Sequence, residues 1–215
     1  QEDRLRNDWL LLLGQRRDWS QFAEQHPSYR MSDDREVRCY ALLIDQIKGT
    51  APAAVADDVR SNWYAIRDAD DGCTHAAREL YGYKKLSALD VWRKARLGVE
   101  ANRPRVVRSA VEIVSPESLP QLKDVLDAPS KYLISRATAA GKARQELIVL
   151  ALLKLATSDP DDAARQLDSK WSVHLSPEER NWAWGVIGKA AAQKLSSDAM
   201  GYFGNVTKDS DLNDD

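Results

Sequence analysis

The chain is short of most of the residues on which chemistry is built. It has two cysteines, Cys39 and Cys73, and three histidines in 215 residues. Two thiols cannot form a cysteine-rich zinc site, and no CxxC or HExxH spacing occurs. His26, His75 and His174 lie far apart, and Cys73 and His75 are separated by a spacing that metal ligands do not usually adopt. No metal and no cofactor are expected. The ten glycines are scattered, so there is no phosphate-cradling loop, and no GxSxG nucleophile turn is present. The longest apolar run, Leu147 to Leu153, is far short of the roughly 20 residues a membrane span needs. Charge of one sign is not in excess either: 31 Lys+Arg stand against 33 Asp+Glu. A general nucleic-acid binder usually carries a basic surplus, so nucleic acid is not an expected partner.

Strand signals are missing as well. There is no sustained alternation of apolar and polar residues, and the Asp71-Gly72 pair is followed by helix-like sequence rather than by a second strand. Helical signals are abundant. Val37, Tyr40, Ala41 and Ile44 follow the spacing of one buried helix face, as do Ala88, Trp92, Ala95 and Val99. The stretch ARQELIVLALLKLAT is apolar nearly all round and predicts a helix covered on several sides.

Helix starts punctuate the chain. Ser176-Pro-Glu-Glu179 predicts a capping box with proline at the first helical position. Ser115-Pro, Ala128-Pro and Asp159-Pro are similar starts, and Asp33 with Glu36 predicts a box-like opening to the helix holding Cys39. From Ser115 onward such starts recur every dozen to twenty residues. Helices of that length joined by short loops pack as antiparallel hairpins, and stacked hairpins form an α-solenoid. The predicted fold class is therefore all-α, an α-solenoid of helix hairpins over residues 1–215. No repeated motif such as the tetratricopeptide signature supports it; helix length and number do.

Several constellations invite a functional reading. Paired carboxylates occur at Asp33, Asp57, Asp70 and Asp161, each followed by a second aspartate, mostly where helix N-termini favour negative charge. Seven tryptophans suit either the anchoring of helix pairs or a sugar-stacking platform. Trp182 and Trp184, two apart, cannot share a helix face, so one is expected to meet a groove or solvent. Arg93, Lys94, Arg96, Arg103, Arg105 and Arg108 form a basic cluster within sixteen residues, readable as a solvated face or as a docking surface for an anionic polymer or acidic partner. The tail from Asp209 resembles half of a calcium loop but lacks its glycine. Cys39 and Cys73 remain, at this level, either core thiols or partners.

In order along the chain, LRNDWLLLLGQRRDWSQFAEQHP, DDREVRCYALL, ADDGC and LSALDVWRKARLGVEANRPRVVRSAV resemble the helical N-terminal region of the soluble lytic murein transglycosylases. The resemblance runs along essentially all of the chain and is strongest from Leu5 to Val111. It implies a superhelical scaffold that is part of a ring. A separate lysozyme-like domain cleaves peptidoglycan between N-acetylmuramic acid and N-acetylglucosamine, leaving a 1,6-anhydro end, with one glutamate as acid and then base. That domain's Glu-Ser, Gly-Leu-Met-Gln and Asn-Ala-Gly pattern does not occur here. The one Glu-Ser pair, Glu117-Ser118, lies in a helix start, so no catalytic residue is expected.

The resemblance further implies that Cys39 and Cys73 pair as a disulfide and that the protein belongs to the periplasm, where such bonds persist. It makes the chain a helical fragment of a longer protein, inactive alone, with peptidoglycan glycan strands and other cell-wall enzymes as partners. The basic cluster is the expected place of glycan contact. Two other classes stand beside this reading: a free-standing helical-repeat module that binds proteins, and an all-α enzyme with a carboxylate site.

Overall fold

A computed structural model describes residues 2–212, and they are all-helical with no strand among them. The last three residues of the calcium-loop-like tail lie outside the described residues. The chain's contacts group into two compact units, Gln1–Leu97 and Gly98–Asp215.

The first unit holds α1 (Glu2–Gln15), α2 (Trp19–Gln25), α3 (Arg35–Lys48), α4 (Val55–Ala65), α5 (Gly72–Gly82) and most of α6 (Ala88–Glu100). Its helices pack on their next and next-but-one neighbours: α3 on α4, α4 on α5, and α3 on α5. That is the neighbour pattern of stacked hairpins. The predicted face of α3 turns inward, with Val37, Tyr40 and Ile44 joining Leu10, Leu13, Phe22 and Tyr29 in one apolar cluster. The start of α3 differs from expectation. Its N-cap is Asp34, which accepts from the amides of Glu36 and Val37, while Asp33 accepts from the Tyr29 hydroxyl. The Glu36 carboxylate does not reach back to close a box. It accepts the amides of Asp71 and Gly72 and so caps α5 instead. The helix ends at Gly49, whose φ of 73° is the left-handed conformation a helix C-terminus favours in glycine.

The second unit holds α7 (Pro104–Val114), α8 (Leu119–Asp127), α9 (Pro129–Ser135), α10 (Lys142–Ser158), α11 (Pro160–Gln166), α12 (Pro177–Gln193) and α13 (Ala199–Phe203). The apolar run becomes α10, buried from Glu146 to Leu153 and covered by α8, α9, α11 and α12. The capping box at Ser176 forms as predicted, and Asp159 accepts from the Asp162 amide to open α11. At Ser115 a 3-10 turn, Pro116–Ser118, intervenes before α8 begins. Trp182 and Trp184 are both buried, so neither meets open solvent, and Trp184 lines a groove beside α11 and α13. Helix α12 packs against α10, α11 and α13, so more than one of its faces is covered.

Candidate functional site

Cys39 and Cys73 form a disulfide with a Cα–Cα distance of 4.9 Å, joining the middle of α3 to the first turn of α5. Both residues are fully buried. The helices approach this closely because Gly72 has no side chain: a Cβ there would lie 2.8 Å from the Glu36 carbonyl oxygen. Polar groups surround the bridge. Asp70 accepts from the Cys73 amide at 2.6 Å. Asp71 accepts from both guanidinium nitrogens of Arg17, one at 2.9 Å, and from the Tyr40 hydroxyl. Burial alone would raise the Asp71 pKa, but the bonds from Arg17 and Tyr40 outweigh it and hold the carboxyl below its ordinary value. Burial does prevail at Asp70 and Glu36, whose pKa values are raised. These carboxylates are taken up by caps and ion pairs at the start of a helix, and their geometry is that of a structural knot.

The other aspartate pairs are used in the same way. Asp57 pairs with Arg60, Asp161 accepts from Tyr202 and Asp162 pairs with Arg165. Of the two fully buried glutamates, Glu179 is read from the sequence only as a cap, and Glu146 is given no role. They share one lysine, with Lys142 Nζ 3.0 Å from Glu146 and 2.5 Å from Glu179. The other Glu179 oxygen accepts the Ser176 amide, completing the capping box. The signal available was the capping glutamate itself; its pairing across helices is tertiary. Glu117, of the lone Glu-Ser pair, is exposed and accepts from the Ser115 hydroxyl at 2.7 Å, which lowers its pKa. A general acid needs the opposite shift. Among the described residues no group of three His, Cys, Asp or Glu side chains is placed to hold a metal ion. No described helix is long and apolar enough to cross a membrane.

The basic cluster does not present one surface. Lys94 is buried, and its Nζ donates to the carbonyls of Trp63 and, at 2.7 Å, Ile66 at the C-terminal end of α4. The negative end of that helix dipole suits a cation, but burial dominates and lowers the lysine pKa to about 8. Arg96 is fully buried and Arg93 half-buried. Lys94 and Arg96 are buried on different sides of α6 and are not part of an exposed cationic surface. Arg103, Arg105 and Arg108 are exposed around the start of α7. The tryptophans are core anchors in the main: Trp63, Trp92, Trp171, Trp182 and Trp184 are buried, while Trp9 is exposed.

Two solved structures share this fold. The lytic transglycosylase Slt of Pseudomonas aeruginosa, solved as an inactive mutant, is 21% identical with a TM-score of 0.66, over 96% of this chain and 34% of its own. The 70 kDa soluble lytic transglycosylase Slt70 of Escherichia coli is 13% identical with a TM-score of 0.56, over 95% of this chain and 34% of its own. The chain thus spans about a third of the length of the structures it matches, and at these identities the likeness is one of fold. No family model and no curated protein matches the sequence.

Proposed function

We propose that the chain is the non-catalytic helical scaffold of a periplasmic lytic transglycosylase, a protein that cleaves peptidoglycan glycan strands to 1,6-anhydromuropeptides during wall turnover. The observation that carries this reading is the fold likeness to two lytic transglycosylases over nearly the whole chain. The Cys39–Cys73 bridge supports it, since that pairing is the one the sequence resemblance implies. Fold alone does not assign chemistry, so the reading needs a test at the level of the polymer.

In this role the helices position wall polymer for a catalytic domain elsewhere in the parent protein and offer a surface to other wall enzymes. Arg103, Arg105 and Arg108 are exposed cations suited to the carboxylates of wall peptides. Co-sedimentation with purified sacculi is the direct experiment. The chain is expected to pellet with sacculi, and the Arg103→Ala/Arg105→Ala/Arg108→Ala variant to pellet less. Absence of pelleting by the unaltered chain would overturn the wall-binding role. Incubation of the chain alone with peptidoglycan is expected to release no 1,6-anhydromuropeptides; their appearance would place an active site within these residues.

A further inference from the structure

In the second unit the chain beyond α13 folds back onto α12. Helix α13 itself is held from two sides. The Tyr202 hydroxyl donates to Asp161 on α11 at 2.6 Å, and the Phe203 ring fills the space that a side chain at Gly188 of α12 would take. Gly204 follows, exposed, and without a Cβ it can swivel. From Thr207 to Ser210 the residues are exposed. A short 3-10 turn, Asp209–Asp211, then brings Asp211 and Leu212 back to α12.

One residue receives the returning segment. Asn181 of α12 is 2% exposed. Its amide nitrogen donates to the Asp211 carboxylate at 2.8 Å, and its amide oxygen accepts from the Thr207 amide at 3.1 Å and the Thr207 hydroxyl at 3.2 Å. One turn further along α12, Leu212 lies over Gly185, in space that a Cβ would occupy. Apolar grip is otherwise slight, since Val206 and Leu212 are only half-buried. Asp211 is buried with no ion-pair partner among the described residues, so a neutral amide has to offset a carboxylate's loss of water. Few buried apolar contacts and an exposed backbone are the conditions under which a segment opens before the unit around it.

We infer that residues 205–212 form a strap that closes on α12 and opens as one piece, with Tyr202 and Phe203 as its anchor, Gly204 as its hinge and Asn181 as its latch. Closed, the strap fixes the chain beyond α13 against α12. Open, it swings about Gly204 and uncovers Asn181 and the bare backbone at Gly185. The device is independent of the wall-binding role proposed above. Amide exchange in the full chain, followed by NMR, tests it. In the unaltered protein the amides of Val206, Thr207, Asp211 and Leu212 should exchange together and faster than those in the middle of α12. Asn181→Ala should speed them about tenfold, while the amides of α10 and α12 keep their rates. Gly185→Ala displaces Leu212 and leaves the Asn181 side chain in place, and it should act in the same way. Strap amides protected as strongly as α12 would make the segment part of the core. So would acceleration that spreads through α10 and α12, or loss of the fold, in Asn181→Ala. Strap amides that either variant leaves unchanged would overturn the inference.

Discussion

Lys94 is buried and Lys142, half-exposed, pairs with two buried glutamates, and their surroundings move them in opposite directions. Burial lowers Lys94 to about 8 from an ordinary 10.5. At neutral pH its charge is therefore a cost to folding of roughly 3 kcal/mol. The unfolded chain holds this proton more tightly, so the cost fades as pH rises from about 8 through 10.5. Burial acts to lower Lys142 as well, but Glu146 and Glu179 prevail and raise it. Its contribution is fully present below the ordinary value and is lost as pH climbs through the raised one. Urea denaturation from pH 7 to 11 separates the two. Relative to Lys94→Met, the unaltered protein should gain stability between pH 8 and 10.5. Relative to Lys142→Met it should lose its advantage only above pH 10.5. At pH 7, Lys142→Met should destabilise by about 2 kcal/mol, less than for a fully buried pair because this lysine is 44% exposed. Parallel pH profiles for the two variants would contradict both assignments.

At the scale of elements, what could be read from the sequence was local. A capping box needs only residues three apart, so Ser176 and Glu179 were legible, as was the all-round burial of α10. The contact between α3 and α5 brings together residues 34 positions apart, and neither periodicity nor capping chemistry encodes that. Only the resemblance paired Cys39 with Cys73. The fate of Lys94 and Arg96 was hidden for the same reason, since which positions of α6 are covered depends on residues distant in sequence. Asp34 rather than Asp33 is the cap, and Asp33 instead accepts from Tyr29, a local contact four residues back that capping chemistry alone does not reveal.

The α3–α5 contact makes two predictions. Gly72→Ala should destabilise by about 2 kcal/mol, because its Cβ meets a backbone oxygen that cannot swing aside. Gly82→Ala, with nothing within 4 Å, should be neutral or stabilise by about 0.5 kcal/mol. Removing the bridge with Cys39→Ser/Cys73→Ser should cost about 4 kcal/mol on the chain-entropy account, with amide exchange accelerating in α3 and α5. Equal stability of the two glycine variants would show that the close approach does not constrain the helices.

For the whole molecule, the same fold can serve as a wall-binding scaffold or as a protein-binding array, and electrostatics separates the two. The net charge is −2, so no global field draws the chain to an anionic polymer. In the wall-binding role proposed above, attraction is local, through exposed residues such as Arg103, Arg105 and Arg108. Such contacts are screened as the Debye length shrinks from about 10 Å at 0.1 M salt to about 3 Å at 1 M. Retention on sacculi should therefore fall steeply over that range. The triple alanine variant should start lower and respond less to salt. Retention that survives 1 M salt in both proteins would move the contact off the arginines and onto apolar residues exposed on the first unit, such as Leu5 and Trp9 on α1. Salt-dependent retention that the triple variant leaves unchanged would assign it to other cations, and the role given to the start of α7 would fall.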